Sequence, residues 1–457
     1  MNPLSRVKAW RRKGKDVRSL SLLAFTLAIG GVFKAAAFWR ETYIAASFGV
    51  SSKTDVYFGL QQIPLAILTF TLGAFGLAFT PAYSRARKTE EGPIWTGGIL
   101  TLALVLGVTG SAITMLAKPF LLGAIHAQDS PTANLTILLL SLSYAPILVS
   151  GLWVCMNNAA GRSIQSLTVT GLPYLLMTVS LVVICLESGT QSWSLPGSWL
   201  AGFVTTALVG ISVIAKTEQF PARLSSMFAL VKLNSFRRFL GQLGSSVLEN
   251  AGFISNQLLM VAFFGMSGPG AITANNYAMR IGMLGFGVLT IPISQLTQSR
   301  LCTATSAEAR RAQFIRQLTT MALVIGSTAA TLFFFREDVG RLVYLRGHFP
   351  KAQLQFVVSL LPAWLSYFVV ISLNAVASRM LFVRHEGIRY TRTMLCAYGI
   401  ANLLRLVTLG HTAAAVIIWS SVIAEGAALL WNVRACLVRE EQEQLRALNV
   451  TASPVSA

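Results

Sequence analysis

Apolar segments long enough to cross a lipid bilayer recur along the whole chain of 457 residues. The hydrocarbon core of a bilayer is about 30 Å thick, so a spanning α-helix needs about 20 predominantly apolar residues. About twelve segments reach that length: 20–47, 54–84, 94–117, 132–156, 164–186, 197–215, 239–264, 273–299, 317–335, 353–378, 392–410 and 412–433. The hydrophobic share of 54% agrees with this pattern. We therefore predict an all-α polytopic membrane protein.

The positions of the basic residues predict how the helices cross the membrane. Lys and Arg accumulate in the cytoplasmic loops of membrane proteins. Most of the 37 Lys and Arg residues fall on one side if the N-terminus is cytoplasmic, and an even number of spans returns the C-terminus to that side. The first apolar run is too long for a cleavable signal peptide, so we expect it to remain as the first helix. Together with the distribution of Lys and Arg, this predicts that both termini are cytoplasmic. Because the net charge of +20 lies in short loops between apolar segments, we expect no nucleic-acid partner.

A long basic connection divides the predicted spans into two sets of six. It mixes Phe, Leu, Lys and Arg, as expected of an amphipathic segment on the inner membrane surface. The predicted organisation is a basic cytoplasmic N-terminal tail (1–19), an N-lobe of helices 1–6 (20–215), the amphipathic linker (216–238), a C-lobe of helices 7–12 (239–433) and a cytoplasmic C-terminal tail (434–457).

Basic residues also lie inside predicted spans; apart from Arg405, they are Lys34, Arg40 and Arg280. A cation at the centre of a bilayer costs at least about 2.5–3.5 kcal/mol by insertion scales, so such residues normally face a protein-lined cavity and meet an anion there. Guanidinium groups suit bidentate contacts with phosphate, and Lys serves as a point charge. We therefore predict that Lys34, Arg40 and Arg280 bind a negatively charged group inside the membrane. The alternative is structural: Glu41 and Asp55 are close enough in sequence to neutralise Arg40, or the cations extend to the membrane surface.

A second group of polar residues falls in the C-lobe spans: Glu249, Asn402, Arg405 and Glu425. Two interpretations remain open for this group. One is structural: Arg405 could pair with either glutamate in a buried ion pair. The other, a site for a small cation, rests on the family resemblance of the chain. The His residues lie in or near loops and the five Cys residues are scattered singly, so we expect no metal site and no cofactor.

Two stretches of the sequence carry a family resemblance. The first runs from Arg40 to Pro81 and contains RETYIAASFGVSSKTDVYF, QQIP and GAFGLAFTP; the second is NNYAMRIGMLGFGVLTIPISQLTQSR, which includes Arg280. They resemble helices 1, 2 and 8 of the MurJ/MviN family, the lipid II flippases of the multidrug/oligosaccharidyl-lipid/polysaccharide (MOP) exporter superfamily. At a low level the similarity extends over nearly the whole chain.

This resemblance implies two six-helix lobes around a central cavity that opens alternately to either side of the bacterial inner membrane. It also implies a polyprenyl-diphosphate-linked saccharide as the substrate, which moves outward. Glycosyltransferases or polymerases of the same pathway would then be partners. Lys34 and Arg40 look like the family's helix 1 cations, and Arg280 looks like its helix 8 Arg.

The resemblance also assigns roles to acidic residues. Asp55 looks like the family's helix 2 acid. Because Asp55 and Glu41 are close in sequence to Arg40, we predict that they act as a latch that the arriving substrate releases. Relatives with a coupling-cation site use the helices that carry Glu249, Asn402 and Glu425, which makes a Na⁺ or H⁺ site conceivable there.

Four functions are compared on these observations. The leading prediction is a flippase for a lipid II-like precursor or for an exopolysaccharide or O-antigen repeat unit. A cation-coupled multidrug exporter of the same superfamily usually captures cationic compounds with buried acids, whereas these spans offer positive charge. A membrane glycosyltransferase would need catalytic acids in a sizeable extramembrane domain, so no enzymatic activity is expected. A non-transporting scaffold stays open, because the family's helix 2 Arg has no counterpart here and Met279 replaces its helix 8 Asp.

Overall fold

A computed structural model describes residues 31–33, 35–125, 132–160, 162–217, 224–283, 290, 301, 306–345, 349, 351–384, 386–408 and 414–452. These residues form α-helices joined by short turns, and they contain no β-strand. The helices are α1 (35–48), α2 (Ser52–Phe70), α3 (Gly76–Ala86), α4 (Gly92–Leu116), α5 (Lys118–Ala124), α6 (Ala133–Leu142), α7 (Tyr144–Ala159), α8 (Ser163–Ser188), α9 (Ser194–Thr217), α10 (Leu224–Lys232), α11 (Asn234–Gly265), α12 (271–283), α13 (Ala307–Phe334), α14 (Arg336–Tyr344), α15 (Lys351–Val383), α16 (Gly387–Val407) and α17 (Ala415–Ala452). A π-helical turn, Thr71–Phe75, joins α2 to α3.

Nine helical segments within the described ranges are long and apolar enough to cross a membrane: Lys53–Gly73, Gly92–Leu116, Ala133–Ala159, Gln165–Ser188, Ser194–Lys216, Val247–Gly265, Ala307–Phe334, Lys351–Leu381 and Ala415–Val438. Each corresponds to a predicted span. The predicted spans 20–47 and 273–299 are only partly described, at 31–33, 35–47, 273–283 and 290, and those parts are helical. The predicted span 392–410 is present as α16, whose arginines lower its apolar character. The prediction of an all-α polytopic membrane protein is confirmed.

The described helices group into two compact units. The first comprises described residues of Met1–Arg40, Ile67–Met115 and Ile137–Phe239, and the second comprises those of Glu41–Ala66, Leu116–Thr136 and Leu240–Ala457. The second unit therefore contains the C-terminal end of α1 and most of α2 in addition to most of α11 and the helices α12–α17. These boundaries differ from those of the predicted lobes, 20–215 and 239–433, and the division into lobes remains a prediction.

An aromatic cluster packs the start of α11 into the first unit. Phe79 of α3 stacks on Phe75, with ring centroids 5.1 Å apart. Trp95 of α4 packs edge-on against Phe236 of α11 at 5.6 Å between centroids, and its indole Nε1 donates a hydrogen bond to Oγ of Ser235 at 3.1 Å. The end of the predicted linker is thus a packed part of the first unit.

Small residues allow close helix contacts within the first unit. A Cβ atom added to Gly107 of α4 would lie 2.4 Å from the Cα atom of Ala145 in α7. A Cβ atom added to Gly151 of α7 would lie 2.4 Å from Cγ2 of Thr71. Such contacts are typical of membrane proteins, where helix association depends on van der Waals packing between closely spaced backbones. Helix α7 therefore packs tightly against both α4 and the π-helical turn.

Helices α13, α15, α16 and α17 form the core of the second unit. Phe314 and Met321 of α13, Met380 of α15 and Met394 of α16 are among its buried side chains. This apolar packing fixes the orientation of α16, which carries Asn402 and Arg405, and of α17, which carries Glu425.

The substitution Gly107→Ala should destabilise the first unit, because the added methyl group would overlap the backbone of α7. Overpacking of this kind costs about 1–3 kcal/mol. Gly110→Ala is the matched control, since a Cβ atom at Gly110 would lie 3.4 Å from the Tyr144 ring, an ordinary contact. Thermal unfolding in detergent should therefore begin at a lower temperature for Gly107→Ala than for wild type or Gly110→Ala. Equal unfolding temperatures would contradict the close contact.

Candidate functional site

The turn between α1 and α2 is held by helices from the C-terminal part of the second unit. Gly49 has a positive φ of 62°, which the absence of a side chain permits. Its carbonyl oxygen accepts a hydrogen bond from the Tyr277 hydroxyl of α12 at 3.3 Å. Gln353 of α15 bonds both main-chain groups of Val50: Nε2 donates to the carbonyl at 2.9 Å, and Oε1 accepts from the amide at 3.3 Å. Specific polar contacts thus fasten this turn to α12 and α15.

Asp55, in the first turn of α2, caps the start of α12. Its carboxylate accepts hydrogen bonds from the amide of Gly270, from the amide of Thr273 at 2.8 Å and from the Thr273 hydroxyl at 2.6 Å. The first amides of a helix have no partner within it, and the helix dipole places partial positive charge there. A carboxylate is therefore stabilised at this position even though it is buried. The residue predicted as a latch is thus bonded to the helix that carries Arg280.

Glu41 of α1 forms an ion pair with Arg280 of α12. Nη2 of Arg280 lies 3.7 Å from Oε1 of Glu41, and the two side chains are 22% and 6% exposed. At this distance the contact is a charge pair rather than a close hydrogen bond. Nε of Arg280 is buried and has no hydrogen-bond partner among the described residues. The guanidinium therefore keeps donor capacity for a further anion.

Of the other two predicted phosphate ligands, only Arg40 falls within the described residues. It is buried in the first unit, and its guanidinium carbon lies 6.0 Å from the centroid of the Trp199 ring, at the limit of a cation–π interaction. Lys34 lies outside the described residues. Because Arg40 and Arg280 belong to different units, a diphosphate site that they share remains a prediction.

Several residues of the contact set around the α1–α2 turn were missed by sequence reasoning. Thr273, Tyr277 and Gln353 are uncharged, and neutral polar residues in apolar segments carry little functional signal of their own. Tyr277 is further held by Tyr344, because the carbonyl oxygen of Tyr277 accepts a hydrogen bond from the Tyr344 hydroxyl at 3.0 Å. Gln353 follows Val50 by 303 residues. Only the folded chain brings such distant positions together.

Arg405 of α16 is surrounded by neutral oxygen atoms from three helices. Its Nη1 donates to Oδ1 of Asn402 at 2.6 Å and to Oδ1 of Asn256 at 2.7 Å. Nη2 donates to Oγ of Ser421 at 2.5 Å, and Nε donates to the carbonyl oxygen of Ile417 at 3.0 Å. A guanidinium offers five N–H donors in one plane, and this set engages donors on all three nitrogens. A buried charge is tolerated when its hydrogen bonds are made in this way.

The two glutamates of the second polar group are not part of this oxygen set. Among the described residues no ion pair joins Arg405 to Glu249 or to Glu425. Glu425 of α17 is completely buried. Glu249 of α11 lines a cavity of about 230 Å³ whose wall also includes Tyr390 and Tyr398 of α16. Arg405 is therefore bonded to neutral acceptors, and both interpretations of this polar group, a structural ion pair and a cation site, remain predictions.

The described helices have the fold of solved polytopic transporters of the MOP superfamily. A solved structure described as lipid II flippase MurJ in an inward closed conformation aligns with a TM-score of 0.76 and 15% identity, covering 95% of this chain and 94% of its own. An inward-facing multidrug resistance MATE family transporter also aligns with a TM-score of 0.76 and 15% identity, covering 92% and 99%. An outward-facing MATE family transporter aligns with a TM-score of 0.66 and 16% identity, covering 92% and 95%.

A family model described as lipid II flippase MurJ matches residues 44–444. Because this match covers most of the sequence, the chain belongs to the MurJ lipid II flippase family, as the resemblance predicted. No curated protein sequence matches the chain. The family match shows that the protein is a multi-pass inner-membrane protein of a family of transporters.

The substitution Arg405→Lys should destabilise the second unit. A Lys ammonium has three donors on one nitrogen and cannot reproduce the planar guanidinium contacts, so buried acceptors on Asn256 and Ser421 would lose their partner. We expect a cost of about 2–4 kcal/mol. The control is Arg341→Lys, because Arg341 is 61% exposed and pairs with Glu337 at the surface. Thermal unfolding in detergent measures both, and a loss no larger in Arg405→Lys than in the control would contradict this account.

Proposed function

We propose that this protein is a flippase that moves a polyprenyl-diphosphate-linked saccharide from the inner to the outer leaflet by alternating access. The observation that carries the proposal is the state of Arg280, a largely buried guanidinium with one ion pair at 3.7 Å and an Nε that bonds to no described residue. Guanidinium donors of this kind suit the oxygen atoms of a phosphate. Membership of the MurJ family supports a lipid-linked precursor as the substrate class.

The charge balance favours an anionic substrate. In this proposal Lys34, Arg40 and Arg280 supply the positive charges of the substrate site, and Glu41 supplies the negative one. A diphosphate would compete with Glu41 for Arg280, and it would bind more strongly in a low-dielectric site than in water. Net positive charge disfavours the cationic compounds of a multidrug exporter, which is the second candidate. The likeness to MATE transporters supports that candidate at the level of the fold.

The contacts of the α1–α2 turn act as a latch in the proposed cycle. Asp55 bonds the start of α12, and Glu41 pairs with Arg280 further along the same helix. Gln353 adds a paired contact with Val50. Every one of these contacts is polar. Water or substrate can therefore replace the hydrogen-bond partners at a small net cost in free energy. Substrate phosphate at Arg280 would release Glu41 first and thereby favour opening to the outside.

Reconstitution tests the proposed activity directly. Proteoliposomes with fluorescent lipid-linked saccharides in the inner leaflet should show protein-dependent transfer to the outer leaflet. Arg280→Ala and Arg40→Ala should reduce the rate at least about tenfold, the equivalent of losing about 1.4 kcal/mol of differential binding. Arg341→Ala removes an exposed, ion-paired Arg and should transfer at the wild-type rate. Comparing lipid II with exopolysaccharide or O-antigen precursors identifies the saccharide.

Failure of every lipid-linked saccharide to move in the wild-type protein would overturn the flippase proposal. Transfer of cationic fluorescent drugs in the same vesicles would favour the exporter, and absence of any transport would favour the scaffold. Co-purification of glycosyltransferases or polymerases from the native membrane tests the proposed pathway partners.

The substitution Asp55→Asn tests the latch. An Asn side chain keeps the shape but loses the charge that stabilises the contacts with Gly270 and Thr273. Loss of charge-assisted hydrogen bonding of about 1.5–3 kcal/mol would shift the closed-to-open equilibrium roughly 10- to 150-fold. We expect impaired transfer with a normal amount of folded protein, measured by size-exclusion chromatography. Asp338 of α14 is exposed, and Asp338→Asn is the control. Unaltered transfer in Asp55→Asn would remove the latch.

A further inference from the structure

Asn276 of α12 is a buried carboxamide whose side chain bonds to no described residue. The residue is 2% exposed, and both Nδ2 and Oδ1 lack a hydrogen-bond partner within the described ranges. Buried polar side chains are nearly always hydrogen-bonded, so an exception needs a physical explanation. A carboxamide offers two N–H donors and one acceptor oxygen. Asn276 therefore keeps its full bonding capacity for a partner that the described residues do not supply.

The position of Asn276 on α12 places it beside Arg280. Residues three and four positions apart lie on the same side of a helix, so Thr273, Asn276 and Arg280 form one stripe. The two outer members of the stripe contact the segment around the α1–α2 turn: Thr273 bonds Asp55, and Arg280 pairs with Glu41. Asn276 faces the same side of α12 as these two contacts. Release of both contacts would therefore open the stripe that carries Asn276.

The preceding residue, Asn275, is a structural carboxamide on another side of the same helix. Its Oδ1 accepts a hydrogen bond from the indole Nε1 of Trp364 in α15 at 2.9 Å. Gly282 lies seven positions further, on the side of Asn275, and an added Cβ atom there would lie 2.5 Å from Cε2 of Phe368 in α15. This side of α12 is thus packed against α15. Successive residues of an α-helix are about 100° apart, so Asn276 points away from that interface.

The unbonded atoms of Asn276 suit a saccharide better than a phosphate or a lipid tail. An ionised phosphate offers only acceptors and would leave Oδ1 without a donor, and a lipid tail offers neither kind of group. A sugar hydroxyl both donates and accepts, so adjacent hydroxyls can bond Nδ2 and Oδ1 together. Four residues of an α-helix rise about 6 Å, which is close to the width of one sugar ring. A sugar attached to a phosphate at Arg280 would therefore reach Asn276.

We propose that Asn276 is a specificity-determining residue that binds hydroxyl groups of the first sugar of the substrate. This inference rests on the proposed flippase function, in which the diphosphate binds at Arg280. Substrate phosphate displaces Glu41 from Arg280, the stripe on α12 opens, and the sugar completes the hydrogen bonds of Asn276. A lipid diphosphate without a sugar would bind Arg280 and leave Asn276 unbonded. The site therefore favours the loaded lipid carrier over the empty one.

Binding in lipid nanodiscs tests this role with two probes: a polyprenyl-diphosphate-linked disaccharide, and the same polyprenyl diphosphate without the sugar. Asn276→Ala should weaken binding of the saccharide probe about tenfold, equivalent to about 1.4 kcal/mol, and leave binding of the bare diphosphate unchanged. Arg280→Ala should weaken binding of both probes, because both carry the diphosphate.

The outcomes of this experiment separate the inference from the proposed function. A wild-type protein that binds neither probe would overturn the flippase proposal. Binding of both probes by wild type, with no loss for the saccharide probe in Asn276→Ala, would overturn the role of Asn276 and leave the flippase intact. An equal loss for both probes in Asn276→Ala would also overturn that role, because the residue would then not distinguish the sugar.

Thermal unfolding separates a binding role of Asn276 from a structural one. Asn276→Leu conserves the approximate volume and removes an amide that makes no described bond, so it should unfold at the wild-type temperature or above it. Asn275→Leu is the matched control: it leaves Nε1 of Trp364 without its acceptor and should unfold at a lower temperature. A decrease for Asn276→Leu as large as for Asn275→Leu would overturn the proposal. In the binding assay, Asn276→Leu should reproduce the selective loss expected of Asn276→Ala.

Discussion

The cost of a charge in a low-dielectric environment governs this structure. Four ionic side chains reduce that cost by three different means. Asp55 bonds amide groups at the start of α12, and Arg405 bonds a set of neutral oxygens. Glu41 and Arg280 share a pair at 3.7 Å. Each solution draws on groups from more than one helix, so compensation of charge and the tertiary packing of the second unit depend on each other.

Structural and functional charges differ in how completely hydrogen bonds and ion pairs compensate the buried charge. Arg405 is bonded on all three of its nitrogens, which suits a fixed element of the core. Within the described part of the chain, Arg280 has one long ion pair and a buried Nε without a hydrogen-bond partner. Incompletely satisfied groups in a buried site are costly, and proteins keep them where a ligand or proton completes them. On this ground Arg280 is the position at which we propose that the anion binds.

Sequence reasoning predicted much of the fold because the bilayer imposes a length and a composition on each span. It was less informative for segments such as α16, where arginines interrupt the apolar run. It also selected Asp55, Glu41 and Arg280, since charges are rare in spans and the family resemblance covered them. It did not select Thr273 or Gln353, because neutral polar side chains carry no comparable signal at the level of sequence.

The sequence by itself determined the membrane class, the approximate spans, the family and the rarity of charges within the apolar segments. Those properties follow from the local composition of the chain, which the sequence contains without any knowledge of the fold. Tertiary structure alone decided the partners: Glu41 with Arg280, Asp55 with α12, and Arg405 with oxygens of three helices rather than with a glutamate. Pairing depends on which helix faces meet, and residues separated by hundreds of positions meet only when the apolar cores bring their helices together.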